Sequence, residues 1–180
     1  MKIGDLKKYL ATGSREQLVA EIVDMFSRID LVKDYYKNKL NLGYSPEVSE
    51  RYKAIIKNEF FPTRGFGEGR LAVAKKAVTD YKKVSDSKFG LADVMLCYVE
   101  TGTEYTKTYG DINEAFYSSM ERMYANAVRL VVDNEMQAEF QERCSAVVDD
   151  ASGIGWGFYD ILCDIYVNNF DEEEDFDIEP

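Results

Sequence analysis

Histidine is absent from this chain of 180 residues. Ser-His-Asp and Cys-His catalysis, imidazole general bases and histidine metal ligation are excluded with it. Any enzyme here would have to work with carboxylates, Lys, Arg, Tyr or Cys. Cysteine is scarce as well: Cys97, Cys144 and Cys163 are odd in number and widely spaced. No Cys-x-x-Cys pair is present, so neither a zinc knuckle nor a thioredoxin-type redox site is written here. No apolar run approaches the roughly 18 residues of a membrane span. The opening Met-Lys-Ile-Gly-Asp-Leu-Lys-Lys has no signal-peptide core. These absences predict a cytoplasmic protein with free thiols, away from membranes and without metal or cofactor.

What is present is apolar and aromatic material in quantity. Hydrophobic residues make up 46% of the chain, with 13 Tyr and 10 Phe, enough to bury a core without staples. Tyr suits half-buried positions where the ring packs and the hydroxyl stays wet. The net charge of −11 is unevenly placed. Asp171, Glu172, Glu173, Glu174, Asp175, Asp177 and Glu179 fall in the last ten residues without a base among them, leaving −4 for residues 1–170. Like charges repel and bury little, so 171–180 reads as a mobile acidic tail on a single helical domain, 1–170. An acidic chain opposes non-specific contact with phosphate backbones, which argues against a nucleic-acid partner.

The pattern is helical from end to end. Ile3, Leu6 and Leu10 share one face of a short helix that Thr12-Gly13 stops. Ser14 with Gln17 forms a capping box for a second helix. Its stripe Leu18, Ile22, Met25, Ile29, Val32, Tyr36 and Leu40 advances by threes and fours, to Leu40 or to a break near Asp30. Ser45-Pro46 opens a third helix, 46–60, with proline at its first position. Further helices are expected from Leu71 to Tyr81, from a Ser85 or Asp86 cap to an interruption near Gly102, from Ile112 to Val132 behind Gly110-Asp111, and over 136–150 and 156–170. No segment alternates with period two, so no strand is expected. The fold class is all-α: seven or eight antiparallel helices in a bundle or a short, solenoid-like stack of helix pairs.

Three features carry potential chemistry. The loop Arg64-Gly65-Phe66-Gly67-Glu68-Gly69-Arg70 could present backbone N–H groups, two guanidinium groups and a helix N-terminus to a small anion or nucleotide. Tyr109, beside Gly110-Asp111, is placed with it as a candidate ligand-binding residue. The loop lacks the Gly-Lys-Ser/Thr ending of a P-loop and follows a helix, so a plain connector is the competing reading. The carboxylate pairs Glu100/Glu104 and Asp160/Asp164 have metal-site spacing, but the helical di-metal arrangement needs histidine, and solvated faces explain them. Cys97 and Cys163 lie on apolar faces and read as small buried hydrophobes.

Two resemblances follow from short motifs. Asp5 to Phe26, with Leu6, Leu10, Leu18 and Ile22 about a turn containing Gly13, resembles the SAP-type helical hairpins that bind DNA. Glu16, Glu21 and Asp24 stand where that family is basic. Over most of residues 3–170 the chain resembles a family of uncharacterised bacterial helical proteins, a domain of unknown function. The motifs are Ile3-Gly-Asp-Leu-Lys-Lys-Tyr-Leu10, Tyr109-Gly-Asp111, Phe116-Tyr117 and Gly155-Trp-Gly-Phe158. That resemblance implies an all-helical protein and supplies no activity. The function expected is a non-catalytic protein-interaction or scaffold protein, with another protein as partner. The alternatives are an anion binder through 64–70 and a nucleic-acid-associated protein through the amino-terminal hairpin.

Overall fold

In a computed structural model of the chain, residues 1–170 are described, and among them are nine α-helices and no strand. They are α1 (Ile3–Leu10), α2 (Arg15–Arg28), α3 (Asp30–Leu40), α4 (Pro46–Phe60), α5 (Leu71–Val84), α6 (Lys88–Tyr109), α7 (Glu114–Asp133), α8 (Gln137–Asp150) and α9 (Phe158–Phe170). The helix beyond the expected seven or eight comes from a break at Ile29. Its extended backbone (φ −120°, ψ 109°) ends α2 and begins α3. The acidic tail expected at 171–180 lies outside the described residues.

Helix α6 organises the body. Fourteen of its 22 residues are buried, so it is enclosed on nearly every side. It packs against α4, α5, α7 and α8, while α9 closes over α7 and α8. No interruption occurs at Gly102. A Cβ there would sit 2.4 Å from the Met120 sulfur, so the glycine lets α7 approach closely. The helix opens at Ser87, whose hydroxyl accepts from the Gly90 N–H at 3.1 Å, just beyond the expected Ser85 or Asp86. It ends at Gly110, whose φ of 87° is a left-handed geometry that glycine adopts freely. Helix α7 is capped by Asn113, which accepts from the Phe116 N–H at 3.0 Å, and Gly110-Asp111 does not serve as its cap.

The apolar core runs from Val48 to Leu162, and no buried apolar residue precedes Val48 among the described residues. Aromatic rings fill much of it, with Tyr52, Phe60, Tyr81, Tyr98, Phe116, Tyr117, Tyr124, Phe140 and Phe158 all 2% exposed or less. Cys97 and Cys144 are buried, whereas Cys163 is half-buried, less enclosed than its apolar face suggested. Most buried tyrosine hydroxyls find partners: Tyr98 meets the Ser119 hydroxyl at 2.6 Å, and Tyr124 donates to the Cys144 carbonyl at 2.9 Å. Tyr81 does not, and its fully buried oxygen has no hydrogen-bond partner.

This difference gives a direct check. Tyr81→Phe removes an unsatisfied oxygen and is expected to leave stability within about 0.5 kcal/mol or to raise it, whereas Tyr124→Phe loses about 0.5–1.5 kcal/mol. Urea unfolding of both variants measures this, and a larger loss for Tyr81→Phe would reveal a partner for its hydroxyl.

Candidate functional site

The glycine–arginine loop turns inward. Backbone crowding fixes Gly67, since a Cβ there would lie 1.7 Å from the Phe60 carbonyl oxygen. The Gly69 N–H donates to the Glu59 carbonyl at 3.2 Å, and the Tyr105 hydroxyl donates to the Gly67 carbonyl at 3.2 Å. Gly65 and Gly69 take positive φ, 79° and 58°. Arg70 gives both its backbone N–H and its Nε–H to one Glu59 oxygen, each at 2.9 Å, and a further N–H to the other at 3.1 Å. Glu68 takes a third guanidinium nitrogen at 3.0 Å. Hydrogen bonds from Arg70 hold the Glu59 carboxyl below its ordinary range despite its burial. The Arg70 donors at the start of α5 therefore already hold an anion, and it is the protein's own Glu59.

The remaining candidates cluster loosely around this pair. Arg64 and Arg70 share a recess of about 240 Å³ with Asn58, Phe66 and Glu68. Tyr109 stands beside it, stacked on Phe61 at 6.0 Å and edge-on to Phe66 at 6.4 Å.

A second polar cluster joins α4, α6 and α8. Asp93 of α6, buried, accepts from the Ser49 hydroxyl at 3.0 Å and pairs with Lys53 at 2.8 Å and Arg143 at 2.8 Å. Arg143 also grips both oxygens of Glu100, at 2.8 and 3.0 Å. Burial alone would raise the Asp93 carboxyl, but the Lys53 and Arg143 bonds outweigh it and the group sits below its ordinary range. A groove of about 550 Å³ opens beside Arg143, lined by Glu100, Glu104, Lys107 and Asp150, with Lys107 bridging to Asp150 at 2.6 Å. Glu100 is thus committed to Arg143, while Asp160 and Asp164 are exposed. Among the described residues no group of three His, Cys, Asp or Glu side chains is placed to hold a metal.

The third feature is the amino-terminal arm, α1 to α3. Neither α1 nor α2 contains a buried residue, although both are amphipathic. Of the hairpin residues, Leu18 is half-buried under Gly13, whereas Leu6, Leu10 and Ile22 are 37–42% exposed. Ile3 (75%), Val19 (53%) and Val23 (57%) stand further out. Polar contacts hold the hairpin: the Ser14–Gln17 box, and the Tyr9 hydroxyl donating to Glu21 at 2.6 Å. The joint to the body is also polar. Buried Asp34 of α3 accepts from the Tyr52 hydroxyl at 3.0 Å and pairs with Arg51. Buried Asn38 donates to the Val84 carbonyl at 2.9 Å and accepts from the Ser45 N–H at 2.8 Å.

The amphipathic stripe from Leu18 to Leu40 did not reveal this arm, because it does not say what the apolar face meets. The distribution of charge along the chain is uneven, yet it does not mark the arm, whose residues 1–28 hold five bases and four acids. Residues 1–87, through α5, carry 17 bases against 12 acids, net +5. Residues 88–170, α6 to α9, carry 5 bases against 14 acids, net −9.

The loop and the buried carboxylates yield two expectations. Arg70→Ala strands the enclosed Glu59 carboxylate and costs about 1–3 kcal/mol, with or without phosphate. Phosphate or nucleotide then gives wild type no saturable thermal stabilisation; stabilisation lost in the Arg64→Ala, Arg70→Ala variant would restore the anion-site reading. The second concerns pH. Glu59 and Asp93 are depressed on folding, so their stabilisation is complete above the ordinary carboxylate values and is lost as pH falls through the folded ones. Urea midpoints are expected to hold down to about pH 5 and to fall below about pH 4. The Asp93→Asn variant is less stable at neutral pH and flatter in acid; an identical slope would show that Asp93 does not contribute.

No curated protein and no solved structure matches this sequence. A family of unknown function, DUF6155, matches residues 1–171, spanning the arm, the loop and the whole helical body. The chain belongs to that family of unknown function, DUF6155.

Proposed function

We propose that the chain is a non-catalytic interaction protein that presents its amino-terminal arm to another protein. One observation carries this reading: α1 and α2 hold an amphipathic pattern of helical period whose apolar stripe meets no core. Such a stripe costs solubility and contributes nothing to folding while bare. Covering it returns roughly 25 cal/mol per Å² of apolar surface. Contiguous exposed apolar surface of this kind marks interaction sites. The catalytic alternative has little to draw on. Asp34, Glu59, Asp80 and Asp93, the buried carboxylates, are each paired with arginine or lysine, and pairing holds Glu59, Asp80 and Asp93 ionised.

Nucleic-acid association draws on the net +5 of residues 1–87. Over residues 1–28, however, five bases face four acids, too balanced to track a phosphate backbone.

The arm reading is tested by placing a photo-reactive side chain at Val23 of α2 in the native host, with a matched probe at Arg129 of α7 as control. The Val23 probe is expected to form discrete protein adducts that the Arg129 probe does not. Val23→Lys, at a position 57% exposed, should leave stability within about 0.5 kcal/mol while abolishing those adducts. Adducts of equal yield at both positions, or adducts to nucleic acid, would contradict the proposal.

A further inference from the structure

The turn between α6 and α7 and the turn between α8 and α9 meet at Tyr117, and each brings one exposed group to it. Tyr117 itself is only 1% exposed. Its hydroxyl donates to Asp111 Oδ1 at 3.2 Å and is bonded to the buried Thr106 hydroxyl at 2.7 Å. Its ring stacks with the indole of Trp156, the centroids 6.1 Å apart and the planes 25° from parallel. The second Asp111 oxygen lies against the other turn, where a Cβ at Gly155 would sit 3.6 Å from it. One buried tyrosine thus holds an exposed carboxylate by its hydroxyl and an exposed indole by its ring.

Folding alone accounts poorly for this arrangement. Trp156, the only tryptophan, is 58% exposed, although its ring is among the largest apolar surfaces a chain can bury. Its φ of 67° is a left-handed geometry that bulky residues avoid and glycine adopts freely. Such strain persists where the surroundings impose it, and it gathers at binding sites. Asp111 makes no ion pair among the described residues. The base nearest before it in sequence, Lys107, is engaged with Asp150 at 2.6 Å. A flat π-face and an unneutralised negative charge are therefore joined through one rigid ring.

We propose that Asp111 and Trp156 form a receptor for an arginine side chain of a partner protein. A guanidinium group is planar, keeps its charge, stacks on an aromatic face and forks onto a carboxylate, so one group satisfies both residues. The Tyr117 hydrogen bond orients the carboxylate and leaves lone pairs on both of its oxygens for the fork. A sugar would also stack on the indole, but it carries no charge to match Asp111. The openness of the site selects the source of the cation. A free small molecule is held by enclosure, with most of its surface buried, whereas this indole stands largely in solvent. A side chain carried on a protein surface is concentrated at the site by contacts made elsewhere. The receptor uses no residue of α1, α2 or α3, so it stands or falls independently of the arm.

Because Trp156 is the one indole, its fluorescence reads the site directly in the full-length protein. The probe is the capped peptide Gly-Gly-Arg-Gly-Gly, compared with the same peptide carrying citrulline in place of arginine. The arginine peptide is expected to change the emission saturably in the millimolar range. The citrulline peptide, equal in shape and uncharged, should not. Asp111→Asn keeps an oxygen for the Tyr117 hydroxyl and should weaken the arginine peptide about fivefold, the scale of an exposed ion pair. No saturable response to the arginine peptide would overturn the proposal. Equal responses to the two peptides would overturn it without recourse to any variant, as would an Asp111→Asn protein that binds like wild type. Two further probes address other occupants. Saturable binding of methyl glucoside would assign the site to sugars. Agmatine, a free guanidinium compound, binding more than about tenfold tighter than the peptide would assign it to a small molecule. Either result would also overturn the proposal.

Discussion

A carboxylate on a helix that is enclosed on nearly all sides must be matched, and Asp93 on α6 sets that demand at the centre of this fold. Its neighbours on the helix, Ala92, Val94, Leu96 and Cys97, are all but inaccessible, so water cannot serve the charge from that direction. Lys53 and Ser49 answer from α4, and Arg143 answers from α8. Removing one partner from such a cluster leaves a charge in a poorly solvated place, a cost larger than the pair's net worth. The cluster therefore fixes how α4, α6 and α8 register against one another, while aromatic packing supplies the bulk of the cohesion.

The arm obeys a different logic. Its attachment at Asp34 and Asn38 is built of directional hydrogen bonds and an arginine pair, with no apolar residue from before Val48 in the buried core. Hydrogen bonds of this sort contribute about 0.5–1.5 kcal/mol each, so they orient the arm without welding it to the body. Helices as short as α1 and α2 are marginal in isolation, and their caps, the Ser14 box and the Gly13 turn, offset part of that deficit. Local opening at the arm is therefore expected to lie far below global unfolding. A surface that is amphipathic, bare and loosely held suits a segment that gains its packing on binding.

Much of the helical order was legible in the sequence because it depends on local chemistry. Ser14 with Gln17, and Ser45 with Pro46, mark helix starts that the structure reproduces, and α4 occupies the expected 46–60. Other boundaries shifted where tertiary contact decides. Gly102 reads as a breaker locally, yet it is the notch that admits Met120. Asn113 displaced Asp111 as the cap of α7 while Asp111 accepted the Tyr117 hydroxyl. The loop at 64–70 showed its donors in the sequence, but not the acceptor. Glu59 lies eleven residues before Arg70, and only the fold of the loop onto α4 brings them together. The arm was hidden for a related reason: periodicity reports that a helix has an apolar face, and says nothing about what that face meets.

The arm is stabilised separately from the body, and native-state amide hydrogen exchange tests this most directly. In dilute full-length protein, amides of α1 and α2 should exchange through openings of about 0–2 kcal/mol, with those of α6 exchanging only near global unfolding. Protection of α1 and α2 that equals that of α6 would contradict the account.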